Sequence, residues 1–524
     1  MTAGKRKLIS PALRAAMLWP HTWAGVTLGG LLMLVFFMGS LAVFASEIDR
    51  WMMPDTRIGA AEAPEAAISL DRTVVPLVER LAAGRAVRDW YVQLPDERRP
   101  VMALRVRTES GAAGGMATAG GRLLPPVGTL GASSFFYPLH YSLHLRAGFV
   151  GYWIVSFASV AMLAGLISGV IIHARIFKDF FTFRSWGQLR RSLLDLHNLT
   201  GVLVLPFHLM ITFTGIVIIL PIVLPAGVQA LYGGDVQRFY DDALGNYNRP
   251  RAGTPAPAAP LDPMLAEARR LWGGGEAAVV FVYNVGDAAS VVRINRDTGD
   301  RISLDVQPVF FDGVTGALLK YQRPGPMVAA HRVMSGLHFA AFEHWPLRWL
   351  YFLFGLTGCV LIGTGMLHWM EKRRVIHGLP GVGWRSVAAL TCGTTTGLLI
   401  ATLAMMAANR LLPSGVPSRE LVEVGVFFLT WIASAVHAAL RTKQDPPWSS
   451  QCAAVALLAA ACVVLNWITT GEHPVRAAAA GDWAVVGVDA VLALTAAGAW
   501  SVSRRLARRA RPEASTLSRL TDHA

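Results

Sequence analysis

Seven histidines stand at or near the ends of strongly apolar stretches: His21, His144, His173, His197, His208, His338 and His368. A polar side chain inside or beside lipid is expensive, so its presence marks an ion, proton or cofactor site. Neutral imidazole is a common ligand of haem iron, and two imidazoles leave that iron no open position, which suits electron transfer better than oxygen binding. His197 and His208 are eleven residues apart. A helix returns to within about 20° of the same face over that interval while rising about 16.5 Å. One helix can therefore serve two macrocycles at different depths, or one macrocycle and a separate polar site.

The spacing predicts two layers. His21, His173, His197 and His368 fall near one membrane face, His144 and His338 near the other, and His208 closer to the middle. Four of these, His144, His197, His208 and His338, are candidate axial ligands to haem iron, with His144 and His338 the expected outer pair. His140, His331 and His344 are further candidates on that side. A metal held without porphyrin is the competing reading.

The elements that must position these residues are membrane helices. Hydrophobic residues make up 53% of the 524-residue chain and charged residues 16%, with a mean hydropathy of +0.43, values typical of integral membrane proteins. Eight stretches reach the ~20 apolar residues that span a bilayer: 22–46, 148–173, 196–223, 347–370, 386–408, 421–440, 450–469 and 483–503. The predicted fold class is an all-α polytopic membrane protein.

Lys and Arg crowd one side of these spans: Lys5, Arg6, Lys7, Arg14, Arg175, Lys178, Arg184, Arg190, Arg191, Lys372, Arg373, Arg374, Arg385, Arg441, Lys443, and a basic tail from Arg504 to Arg511. Short loops on the other side hold only Arg410, Arg419 and Arg476. The positive-inside rule then places both termini in the cytoplasm. Topology accounts for the net charge of +14, and no nucleic-acid partner is needed. The first apolar stretch is too long for a signal-peptide core and reads as a retained anchor. Cys359, Cys392, Cys452 and Cys462 all fall within spans, which suggests neither a disulfide framework nor a zinc site.

Along the chain the divisions are the N-terminus with the first span (1–46), an insertion (47–143), spans two and three (144–223), a second insertion (224–337), span four (338–375), spans five to eight (376–503) and the basic tail (504–524). The second insertion reads as a small α+β module: a helix at Leu261–Trp272, then strand-like runs at 277–285 and 290–295, and a turn at Asp312-Gly313-Val314-Thr315-Gly316. The first insertion is fainter, with a helix at Leu70–Ala83, strands near 90–94 and 101–108, and a Gly/Ala-rich mobile loop at 111–121. Motifs recur. His21-Thr22-Trp23-Ala24-Gly25 opens span one and His197-Asn198-Leu199-Thr200-Gly201 opens span three; Leu139-His140 through His144 leads into span two and Leu337-His338 into span four. The repeat predicts a four-helix bundle made of two like-oriented units. Spans five to eight lie outside it.

Other polar groups near the spans are sparse. Arg146 and Arg348 follow the outer histidines and either snorkel to the interface or meet haem propionates, with snorkelling favoured; Arg190 and Arg191 beside Asp195 are inner-face counterparts. No dinucleotide fingerprint or P-loop is present. Electrons would therefore come from an external donor, quinol or reduced flavin.

The His21–Gly25 opening, the run from His197 to His208 (HNLTGVLVLPFH), the Leu-His motifs and the Asp312–Gly316 turn together resemble the PepSY-associated transmembrane helix family over roughly residues 15–375. That family comprises bacterial inner-membrane proteins, many iron-regulated, and includes ferric-siderophore reductases. The resemblance implies a b-type haem bundle, with two haems here, and two periplasmic PepSY-type insertions; the first lacks a clear Asp-x-x-Thr-Gly turn. It implies His21, His144, His173, His197, His208, His338 and His368 as cofactor-binding positions, a ferric siderophore as the electron acceptor, and no obligatory acid–base residue. The competing expectations are a non-redox transporter component for siderophore or metal, and a PepSY-based periplasmic module that binds or regulates a protease.

Overall fold

A computed structural model of the chain describes residues 10–58, 68–145, 147–173, 189–243, 245–377, 381–442 and 446–510. Arg146 and the basic residues Lys5, Arg6, Lys7, Arg175, Lys178, Arg184, Lys443 and Arg511 lie outside them. Helix α1 (Pro11–Ala42) opens on Ser10, whose Oγ accepts the Leu13 N–H at 3.1 Å, and on a proline that needs no amide partner. After it come α2 (Ala45–Met52), α3 (Val75–Ala82), α4 (Tyr137–Ser142) and α5 (Val150–Ile172). The third span is broken into α6 (Leu189–Leu203) and α7 (Leu205–Val223). Pro206 causes the break, since it cannot donate to the carbonyl four residues back. The chain continues through α8 (Ala226–Tyr232), α9 (Val236–Ala243), α10 (Leu261–Leu271), α11 (Pro326–Phe339) and α12 (Trp345–His377).

Eight helical segments among the described residues are long and apolar enough to cross a membrane. Helices α1, α5, α6/α7 and α12 pack as a ring of four. Beside it stands a second group: α13 (Val382–Thr394), α14 (Thr396–Leu411), α15 (Arg419–Arg441), α16 (Trp448–Thr470), the short α17 (Pro474–Ala479) and α18 (Trp483–Ala510). Thr391, Thr394, Thr395 and Thr396 bond back to carbonyls of the preceding turn, a competition with the helix ladder that accompanies the α13/α14 break at Thr395.

The two insertions were expected as separate modules. They share one antiparallel sheet of seven strands: β1 (Val87–Gln93), β2 (Val101–Thr108), β3 (Gly111–Thr118), β4 (Ala277–Tyr283), β5 (Val291–Arg296), β6 (Val309–Asp312) and β7 (Leu318–Tyr321), in the order β3-β2-β1-β4-β5-β6-β7. The seam is β1 against β4, with Trp90 opposite Val282 and Val92 opposite Val280, all buried. Alternation puts these side chains on one face, where α3 and α10 cover them with Leu77, Val78, Leu265 and Ala268. The Gly/Ala-rich stretch expected as a mobile loop is largely the edge strand β3, paired residue for residue from Val101↔Thr118 to Thr108↔Gly111. Backbone hydrogen bonds suffice for that pairing, which is why composition concealed it.

The helices on the sheet exchange caps. Asp262 at the start of α10 accepts the Leu70 N–H (2.6 Å) and the Ser69 hydroxyl (2.5 Å), while Asp71 accepts the Leu261 and Asp262 N–H groups (2.8 and 2.9 Å). In the turn after β6, Asp312 accepts the Val314 and Thr315 N–H groups and pairs with Arg249 at 2.8 Å. Desolvation works to raise this carboxyl, but those partners outweigh it and hold it at about 2.

The sheet is fastened to the bundle at a buried carboxylate. Glu47 of α2 receives Arg98 from the β1–β2 turn (2.9 Å) and Arg348 from α12 (3.1 Å), and Arg348 also donates to the Val43 carbonyl. Arg348 is fully buried over the rings of Phe44 and Trp345. The expectation that it snorkels is thereby corrected: an inward carboxylate outcompetes the interface.

Each cap carboxylate serves the other insertion's helix. Asp262→Ala is expected to cost about 1–2 kcal/mol and to speed amide exchange around Leu70 in hydrogen-exchange mass spectrometry. Unchanged exchange there would show the crossed cap to be idle.

Candidate functional site

Four histidines inside the bundle are held in one manner. His21 (α1) donates Nδ1–H to the Gly165 carbonyl of α5 at 3.0 Å, and His197 (α6) to the Leu361 carbonyl of α12 at 2.9 Å. His140 (α4) donates to the Val35 carbonyl of α1 at 2.7 Å, and His338 (α11) to the Ile211 carbonyl of α7 at 3.0 Å. Each accepting carbonyl lies one turn before a glycine: Gly169, Gly365, Gly39 and Gly215. A Cβ at those glycines would stand 3.2, 3.0, 2.7 and 2.8 Å from the Cε1 of the same four rings. The glycine lets the imidazole lie against a neighbouring backbone and share a carbonyl already in use by the helix ladder.

The carbonyl can only accept, so each Nδ1 carries the proton and each Nε2 keeps its lone pair. None of the four Nε2 atoms makes a hydrogen bond among the described residues. The rings face one another in two pairs. His21 and His197 have centroids 6.2 Å apart and planes 80° apart; His140 and His338 are 6.1 Å and 30° apart.

Each pair borders its own cavity. The one far from the sheet, about 430 Å³, holds His21 and His197, with His173, His368 and Lys372 also in its wall. The sheet-side cavity, about 780 Å³, holds His140 and His338 and extends to Gln93, Arg98 and Leu304 of the sheet domain. Both lie within the roughly 300–1,000 Å³ of small-molecule sites. Leu32 and Met162 line both, so a thin apolar layer divides them. On α1 the two levels, His21 and Val35, are fourteen residues apart, about 21 Å along the axis.

Of the seven positions singled out from sequence, His21, His197 and His338 belong to facing pairs, and His173 and His368 line the far cavity. His368 donates Nδ1–H to the Arg190 carbonyl at 3.1 Å. The expected outer pair of His144 with His338 is not formed. His144 has a positive φ of 54°, donates Nε2–H to the Phe135 carbonyl at 2.8 Å and stacks on the Phe135 ring at 4.9 Å. His140 takes the place beside His338. The recurring Leu-His dipeptide, Leu139-His140 and Leu337-His338, is the signal that points to it. His208 is fully buried and borders neither cavity. Its Nε2 reaches the Phe354 carbonyl at 3.3 Å, its Nδ1 is unpartnered, and Phe36 rather than a second histidine faces it at 6.1 Å. The far-side pair thus joins His21 with His197. His344 lies near the Leu347 N–H at the start of α12, and His331 beside Ser335.

A family model described as PepSY-associated TM region matches residues 18–372 of the chain. An uncharacterized protein of Pseudomonas aeruginosa is 28% identical over 366 residues, covering 64% of this chain and 88% of that protein. The family match stops short of the second helix group, which begins at Val382.

Gly39→Ala would drive a methyl into the His140 ring, whereas a methyl at Gly25, one turn along α1 from His21, meets nothing within 4 Å. The first change is expected to lower stability by about 1–3 kcal/mol, and the second to be neutral or stabilising by up to about 1 kcal/mol. Melting of both variants in detergent measures the contrast, and equal melting points would contradict the close-packed brace.

Proposed function

The chain belongs to the PepSY-associated transmembrane family, and on that footing we propose that it is a bacterial inner-membrane b-type haem protein that passes electrons outward to reduce a periplasmic ferric siderophore. The observation that carries this reading is the twofold occurrence of facing imidazoles with fixed Nδ1–H bonds and free Nε2 atoms. Two imidazole–metal bonds of about 2.0–2.1 Å, with ~1.1 Å from each Nε2 to its ring centre, would span about 6.2–6.4 Å when collinear, close to the 6.2 and 6.1 Å of the two pairs. No group of three or more His, Cys, Asp or Glu residues suited to a bare metal occurs among the described residues. Zinc sites use three or four protein ligands, while a porphyrin needs only two. His21 with His197 and His140 with His338 would hold the two groups. Haem iron bound by two imidazoles supplies one-electron transfer without an open coordination position.

The chain's own residues do the rest. The carbonyl bond to each Nδ1 fixes tautomer and ring orientation and strengthens the opposite nitrogen as a ligand. Lys372, in the wall of the far cavity, is a cation suited to a carboxylate substituent, whereas Arg98 in the sheet-side wall is already paired with Glu47. Leu32 and Met162 exclude water between the levels. The sheet domain lies in the periplasm, where the larger cavity opens toward Arg98 and a ferric chelate can approach; quinol or reduced flavin serves the opposite side, and both termini are cytoplasmic. One-electron reduction of Fe(III) to Fe(II) loosens its hard oxygen ligands, so the siderophore gives up its metal.

The test uses purified protein reduced with dithionite under anaerobic conditions. A ferric hydroxamate siderophore should reoxidise it, with Fe(II) captured by a ferrous chelator. His197→Ala and His338→Ala should each remove one of two haems, and His144→Ala neither. A reduced protein indifferent to ferric chelates would sink the reductase assignment, and loss of haem only on changing His144 would sink the pairing.

A further inference from the structure

Helices α13–α18 contribute none of the paired histidines. We propose that this second helix group is a clamp on residues 127–144 that sets the position of His140; the inference rests on the reading of His140 as one half of the sheet-side pair. Unlike His21 and His197, which ride on helices of 32 and 15 residues, His140 sits on a helical segment of 11 residues, Ala132–Ser142, that opens with a π-helical turn and ends as the six-residue α4. So short a helix has no stability of its own and takes its position from what surrounds it.

Helix α4 itself packs on α1 and α5, and the second group reaches the segment that leads into it. Phe135, fully buried, lies edge-on to Phe427 and Phe428 of α15 at 5.0 and 6.0 Å. Ala132, Phe136 and Leu139 share one apolar core with residues of α14–α16. Buried Glu423 of α15 accepts the Thr129 hydroxyl, and Arg419 reaches the Gly128 carbonyl at 3.3 Å. Asp49 of α2 accepts the Ala132 and Ser133 N–H groups at 2.5 and 3.2 Å. Helix α2 is itself tied to the second group by Trp51 on Asp489 of α18 (2.8 Å) and by Arg410 of α14 on the Met52 carbonyl (2.6 Å). His144 then closes the loop on Phe135. Both rings are braced by bundle helices, His140 by α1 and His338 by α7; the clamp adds to the brace on His140 and so acts on one member of one pair.

The full-length protein is compared with Phe427→Ala, the milder Thr129→Val, and Gln451→Leu, which breaks buried bonds at the other end of the same helix group. Hydrogen exchange over residues 127–144 should rise at least about tenfold in Phe427→Ala, less in Thr129→Val, and stay unchanged in Gln451→Leu. The ferric spectrum of the sheet-side haem should shift or vanish in the first two while the far-side signal stays. Unchanged exchange in both clamp variants, or equal disturbance of both haems, overturns the proposal. Wild-type protein without haem refutes the functional reading, while exchange still decides whether the clamp holds His140.

Discussion

A buried imidazole has one N–H to satisfy and one lone pair to offer, and in an apolar bundle the choice of partner decides what the ring can do. Backbone carbonyls are the available acceptors, but each already serves its own helix, and a Cβ one turn ahead normally screens it. Four glycines lift that screen here, on α5, α12, α1 and α7, so every span of the bundle braces one ring that another element supplies. Interhelical hydrogen bonds in membranes are worth only about 0.6 kcal/mol on average. Orientation is therefore the larger consequence: four rings held in two pairs at the walls of two cavities, each with an Nε2 that no hydrogen bond occupies among the described residues.

The remainder of the fold holds that geometry at its less secure end. Far from the sheet, the paired histidines lie on long helices. On the sheet side they lie on α4 and α11, which follow the two insertions, and those insertions are joined through a shared sheet and crossed caps. Glu47 between Arg98 and Arg348 ties sheet, α2 and α12 at one point. A buried carboxylate between two guanidiniums is costly to break, since removing either partner leaves charge stranded in low dielectric. The second helix group secures the remaining side.

Eight spans, one helix and two strands of each insertion, and three of the four paired histidines are legible in the sequence, because hydropathy, turn residues and histidine spacing are local signals. His140 and His144 are hard to tell apart in the sequence because they are one turn apart and only the loop closed by Leu143 and His144, both at positive φ, separates their roles. The single sheet was invisible because β1 and β4 lie almost 190 residues apart, and β3 because glycine and alanine carry no strand signature. The burial of Arg348 is hidden for a similar reason: its partner Glu47 is 301 residues away.

The most direct test of the central claim is an electron paramagnetic resonance spectrum of the oxidised, purified protein. Imidazole π donation splits the iron d orbitals when two ring planes are near parallel and cancels when they are near perpendicular. The 30° pair and the 80° pair therefore predict two low-spin ferric signals of equal intensity, one rhombic and one strongly anisotropic. A single signal, high-spin iron with an open position, or no ferric haem at all would contradict it.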